Sequence, residues 1–213
     1  MPVDGIAGPV RVPVDSPGIG AEGASGAAGG AVRGLVGSLV MAAVLAALYL
    51  TSRYSYLLFH TLIELFTVVV AAGIFVIAWN ARRFLRNNYL LFAGIGALFI
   101  GFIDLFHTLA YQGTSVFPGN TADLATQFWI AGRSLEAAVL VLAAFTPGRR
   151  LRVGVVLTGM TLVTGLLVVS IFAGAFPTCF VEGVGLTRFK VVAEYGIAGG
   201  FVAAAGLLAW KRE

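Results

Sequence analysis

Long apolar runs separated by short polar breaks dominate this chain from Gly34 to its end. Six runs are long enough, or nearly so, for the roughly 20 residues a helix needs to cross a bilayer core. They cover about 34–51, 56–79, 89–112, 124–146, 153–174 and 190–210. In lipid each run must satisfy its own backbone, so runs separated by so few residues predict helices. The expected fold is an all-α integral membrane bundle of about six transmembrane helices, forming a transmembrane domain over 34–213. Residues 1–33 are rich in Gly, Pro, Ala and Ser, with no aromatic residue and no apolar period. Such a stretch cannot bury enough surface to offset its chain entropy and is expected to be a disordered cytoplasmic tail. It does not resemble a secretory signal, since the first apolar run starts only after Arg33.

Loop charges orient the bundle. Arg82, Arg83 and Arg86 follow the second run, Arg149, Arg150 and Arg152 the fourth, and Lys211 and Arg212 the sixth, so these ends are expected inside. The loop 113–123 has no positive charge, and only Arg53, Arg188 and Lys190 mark the other two outer loops. Both termini are therefore predicted cytoplasmic. Composition agrees, with 59% hydrophobic and 11% charged residues placing the chain among multi-pass membrane proteins in contact with lipid. The net charge of +4 is scattered over short loops, which argues against a nucleic-acid partner. A single cysteine, Cys179, excludes an intrachain disulfide.

The candidate chemistry lies inside the apolar runs. The only two histidines, His60 and His107, each have a carboxylate one helical turn away, in His60-x-x-x-Glu64 and Asp104-x-x-His107. Spacings of four and three residues put each pair on one helix face. Ionisable groups in lipid are costly unless they pair, line a cavity or hold a ligand. With the second run entering from outside and the third returning, a rise of about 1.5 Å per residue sets His60 level with His107 and Glu64 level with Asp104. These four are the candidate metal or ligand residues. Tyr111, Gln127, Arg133, Glu136 and Glu194 are expected to complete a polar layer near the outer side, and the inner halves of the runs carry almost no ionisable group.

The structural alternative is that these groups pair and hold the bundle together, with Arg133 neutralised by Glu136, Glu64 or Asp104. A metal would meet mixed nitrogen and oxygen donors suited to Zn, Fe, Mn or Cu(II). Cys179, in the outer loop 175–189, is one further donor within reach of the layer. Two facing histidines also suit a haem. The glycines Gly94, Gly96 and Gly101, and Gly196, Gly199 and Gly200, are expected where helices approach closely. Trp79 and Trp210 fall at the expected inner interface, where they serve as anchors.

Four strings carry a resemblance: YLLFHTLIELFTVVVAAGIFVIAWN (56–80), FIDLFHTLAYQG (102–113), ATQFWIAGRSLEA (125–137) and FPTCFVEGVGLTRFKVVAEYGIA (176–198). In this order they resemble the bacterial membrane-associated sensor domain of the third MASE class. His60, Glu64, Asp104, His107, Gln127, Arg133 and Glu194 match its motif positions. The resemblance implies a non-enzymatic sensory input domain in the bacterial cytoplasmic membrane. Its relatives join a histidine kinase or diguanylate cyclase output module, linking them to two-component or cyclic di-GMP signalling. Such relatives continue past the point where this chain stops, at Glu213, so an output module acting in trans, or a longer parent chain, is expected. Modules of this class also work as homodimers. The readings that compete with a sensor are a membrane metalloenzyme with a His/carboxylate site and a small transporter. No Ser/His/Asp set and no His-Glu-x-x-His supports the former, and no polar path into the inner half supports the latter.

Overall fold

The computed structural model describes residues 19–84, 88–114, 116–117, 121–147 and 151–210. Arg86, Arg149, Arg150, Lys211 and Arg212, which contribute to the expected orientation, lie outside the described residues, as does the tail from 1 to 18. The chain divides into two compact units, residues 1–53 and 54–213.

The described residues of the first unit belong to α1, Ile19–Tyr54, of which Val32–Tyr54 is long and apolar enough to cross a membrane. The pattern of apolar residues places the start of this helix at Gly34; it starts instead at Ile19, two residues after Pro17. Past that proline nothing in the Gly- and Ala-rich stretch breaks a helix outright, and its alanines are the best helix formers.

The second unit holds α2 (Tyr56–Ala81), α3 (Asn88–Ala110), α4 (Ala122–Ala143), α5 (Val153–Phe172), a short antiparallel hairpin of β1 (Phe180–Val181) and β2 (Gly185–Leu186), and α6 (Arg188–Trp210). Ser55 starts α2 by accepting the Leu58 N–H at 3.2 Å, a standard N-cap. α2 packs on α3, α3 on α4, and α4 on α6, while α5 lies against α3 and α4. Ile95, Ile103, Phe128 and Val139 are almost fully buried between α3 and α4. Phe106 stacks on Phe128 at 5.4 Å between ring centroids and meets Phe172 edge-on at 6.0 Å, which ties α5 to this core.

Helix α4 is the exception among the expected spans. Among the described residues five helices are long and apolar enough to cross a membrane, and α4 is not one of them. It carries Asp123, Arg133 and Glu136 yet buries ten of its residues against its neighbours. Enclosure by α3, α5 and α6 is what permits these charges, because a charge on a lipid-facing helix centre costs about 2.5–3.5 kcal/mol on insertion scales.

Glycine makes the closest approaches possible. A methyl group at Gly94 would overlap the Cβ of Ala78 on α2, and one at Gly96 would overlap Val139 on α4. Gly101 sits against Ala71 and Gly200 against Ala137, whereas Gly196 and Gly199 face open space. The expectation of close helix approach therefore holds for Gly94, Gly96, Gly101 and Gly200 and fails for the other two.

Candidate functional site

His60 and Glu64 share one face of α2, as their spacing requires, and that face meets His107 on α3. His60 Nε2 lies 3.8 Å and His107 Nε2 4.0 Å from the same oxygen, Oε1 of Glu64. One donor atom from each of the three falls within 4.8 Å of the others. The two imidazole rings are 5.5 Å apart and inclined at 62°. Tyr111, one turn beyond His107, stacks on His60 at 3.8 Å and 25°.

His107 is held by the backbone. Its Nδ1 is 2.8 Å from the carbonyl oxygen of Ala125 on α4. A carbonyl can only accept, so Nδ1 carries the hydrogen, and the neutral ring presents a lone pair on Nε2, the atom facing Glu64. His60 Nδ1 is buried with no hydrogen-bond partner among the described residues.

Asp104 does not join this group. It is 2% exposed, and Arg133 Nη2 contacts both of its oxygens at 2.6 Å. Arg133 Nη1 reaches Glu136 Oε2 at 2.5 Å. The structural pairing expected for Arg133 is therefore what forms, with Asp104 and Glu136 as its two partners. Gly132 makes it possible, since a Cβ there would come within 3.1 Å of Asp104 Oδ1. The two clusters remain neighbours, for Glu64 lies within electrostatic range of both Asp104 and Arg133. Across the described layer, three carboxylates share one guanidinium.

Two other expected members of the polar layer have partners of their own. Gln127 is buried, but its amide donates to Asp123 Oδ2 at 3.0 Å and to the Pro177 carbonyl at 3.4 Å. Glu194 pairs with Lys190 at 2.7 Å on α6, and Lys190 sits 5.4 Å over the Trp129 ring. Neither pairs with the histidines, because depth along a helix says nothing about rotation around it. Cys179 is fully buried among Ile130, Ala137 and Ile197, in a cluster separate from the histidines.

Asp123 is a structural residue beside the site that the pattern of the chain does not reveal. Its Oδ1 accepts the backbone N–H groups of Cys179 at 2.6 Å and Phe180 at 2.7 Å, fastening the β1–β2 hairpin to the start of α4. An acid in the first turn of a helix has an ordinary explanation in the helix dipole, which hid the second role. The hairpin closes one wall of a vestibule of about 790 Å³, lined also by Tyr56, Tyr111, Thr126, Lys190 and His107. The Cys179 thiol beside Asp123 is pushed up to about 11, by burial first and by the carboxylate second. Alkylation of Cys179 by iodoacetamide is therefore expected to be very slow at pH 8 and to rise only as pH approaches 11, because the thiolate is the nucleophile. In Asp123→Ala the loosened hairpin should expose the thiol, with labelling at pH 8 faster by about tenfold or more; mass spectrometry reads both.

The family model for a membrane-associated sensor domain, MASE3, matches residues 51–213. The chain belongs to the MASE3 family. No curated protein and no solved structure matches it. The MASE3 match begins in the last turn of α1 and takes in every element from α2 to α6, so the His60–Glu64–His107 cluster and the Arg133 network both lie inside it. A MASE3 chain with these apolar helices is a multi-pass sensor domain of the inner membrane.

Proposed function

We propose that this MASE3 domain is a non-enzymatic sensory input module whose signal is a cation bound by His60, Glu64 and His107 beside the vestibule. The observation that carries this reading is the meeting of two imidazole nitrogens and one carboxylate around a shared point, in a layer where acids outnumber fixed positive charges. An anionic signal would add to that imbalance, whereas a divalent cation relieves it. Asp104, Arg133 and Glu136 hold α3 to α4 and fix the floor of the site. Tyr111 holds the ring of His60 in place.

Signalling follows from where the donors sit. Glu64 belongs to α2 and His107 to α3, so a cation gripping both binds best to the arrangement in which these helices stand closest at their outer ends. Only that difference in affinity can shift the population of helix arrangements sensed on the cytoplasmic side. A histidine kinase or diguanylate cyclase, in the same chain or a separate one, is the output that such a shift would address.

The test is thermal unfolding of detergent-purified protein in the presence of Mg²⁺, Ca²⁺, Mn²⁺, Co²⁺ and Zn²⁺. A cation held only by the folded state at 100 times its Kd stabilises by about 2.7 kcal/mol. At least one of the five should raise the midpoint of the native protein and leave that of Glu64→Gln unchanged. If none does, the cation reading fails.

A further inference from the structure

A site that takes a cation also chooses among cations by its donors. On the basis of the cation reading, we infer that the site is built for a borderline divalent transition metal, held by three protein donors with a fourth position open to the vestibule.

Donor chemistry selects the ion class. Calcium takes six to eight oxygen ligands, and magnesium demands a near-ideal octahedron of oxygens, most of them water or phosphate. Among the described residues only one carboxylate, Glu64, faces the histidines. Both oxygens of Asp104 are engaged by Arg133, and Glu136 turns to the same guanidinium. Two nitrogens and one oxygen suit Zn²⁺, Co²⁺ or Fe²⁺. The soft Cu(I) ion wants sulfur, and the lone Cys179 is packed against Ile130 and Ile197 instead.

The support around His107 is of the kind that metal-binding histidines need. Donation from Nδ1 to a backbone carbonyl fixes the tautomer and aims Nε2, and such outer partners commonly change metal affinity by about 10–100-fold. The atom aimed in this way is the one that faces Glu64, 4.0 Å away. Metal–donor bonds of about 2.0–2.1 Å place the donors of a tetrahedral centre about 3.3 Å apart. The observed separations of 3.8 and 4.0 Å exceed that by little more than half an ångström. Rotation about the side-chain torsions of Glu64 closes these two gaps, while the two imidazole donors, within 4.8 Å of each other, must also move inward to share the ion. The ion so held would draw α2 and α3 together.

Three protein donors leave a tetrahedral ion one position short, which in proteins is filled by water or an exchangeable ligand. The vestibule is the route to that position, because His107, one of the three donors, lines it. The signal is then either the metal itself or a small donor molecule that reaches the metal through the vestibule.

Cobalt(II) tests this directly, because its visible absorption reports coordination. Titration of the purified full chain in detergent should saturate at about one Co²⁺ per chain, with the intense visible bands of a four-coordinate centre. Zn²⁺ should abolish the bands, and thiocyanate should shift them by entering the open position. His60→Ala and His107→Ala should each weaken Co²⁺ binding by at least about tenfold, with helical circular dichroism unchanged. His107→Gln serves as a second variant if His107→Ala does not fold. Weak octahedral bands, or Ca²⁺ binding without Co²⁺ binding, would overturn the transition-metal inference and leave the cation reading standing. Full Co²⁺ binding in a folded double-histidine variant would overturn the donor assignment. Bands indifferent to thiocyanate would remove the open position. If no cation binds at all, both readings fall together.

Discussion

Replacing Arg133 with methionine is expected to destabilise the domain by about 3–5 kcal/mol, the usual cost of removing one partner from a buried ion pair. Asp104 is almost fully enclosed between α3 and α4, and Arg133 supplies the hydrogen bonds to both of its oxygens. Without the guanidinium, that buried carboxylate and the half-buried Glu136 lose the cation that pairs with both among the described residues. The polar contact alone would predict a far smaller effect, since interhelical hydrogen bonds in membranes average about 0.6 kcal/mol. The size of the loss therefore separates stranded charge from a lost hydrogen bond. Denaturant unfolding in mixed micelles measures it. The double variant Asp104→Asn/Arg133→Met should recover a good part of the loss, because it strands no charge. A single variant that unfolds within about 0.5 kcal/mol of the native protein would mean that water reaches Asp104.

Gly94→Ala is expected to be the second most damaging small change, at the top of the usual overpacking range of about 1–3 kcal/mol. The added methyl overlaps Ala78 Cβ, with the Ile74 carbonyl and Ala78 Cα close behind it. These are parts of the α2 backbone and its first side-chain atom, so no rotamer change can make room and the two helices must part. Ala78→Gly removes the obstructing methyl and should restore most of the lost stability. A wider α2–α3 gap would also move Glu64 away from His107, so cation affinity should fall in Gly94→Ala and return in the double variant. Equal stability of Gly94→Ala and the native domain would show that α2 is free to slide on α3.

The apolar runs and the His60/Glu64 spacing were legible in the chain because each is a one-dimensional property. Run length is set by bilayer thickness and the helical rise, and the shared face of residues four apart follows from 3.6 residues per turn. The common depth of His60 and His107 also follows from counting, once the short connections force neighbouring helices to alternate in direction. Similar counting puts Gln127 and Glu194 in the layer but does not give their partners, Asp123 and Lys190, since it ignores which way each helix is turned.

What the amino-acid sequence by itself determined is therefore the class, the helices and the meeting of two histidines near one end of a membrane bundle. The tertiary structure alone decided how the acids are shared out. Asp104 goes to Arg133 because Gly132 lets α3 and α4 close on each other at that level, and Glu64 is left as the single carboxylate facing both imidazoles among the described residues. It alone also decided that Asp123 is committed to the hairpin and that α4, the least apolar helix of the second unit, is enclosed together with α3. Partners across helices depend on rotation and separation to within an ångström, which a pattern of residue types does not encode. A close glycine contact or a hydrogen bond from an imidazole to a neighbouring helix's carbonyl exists only once the helices are in place.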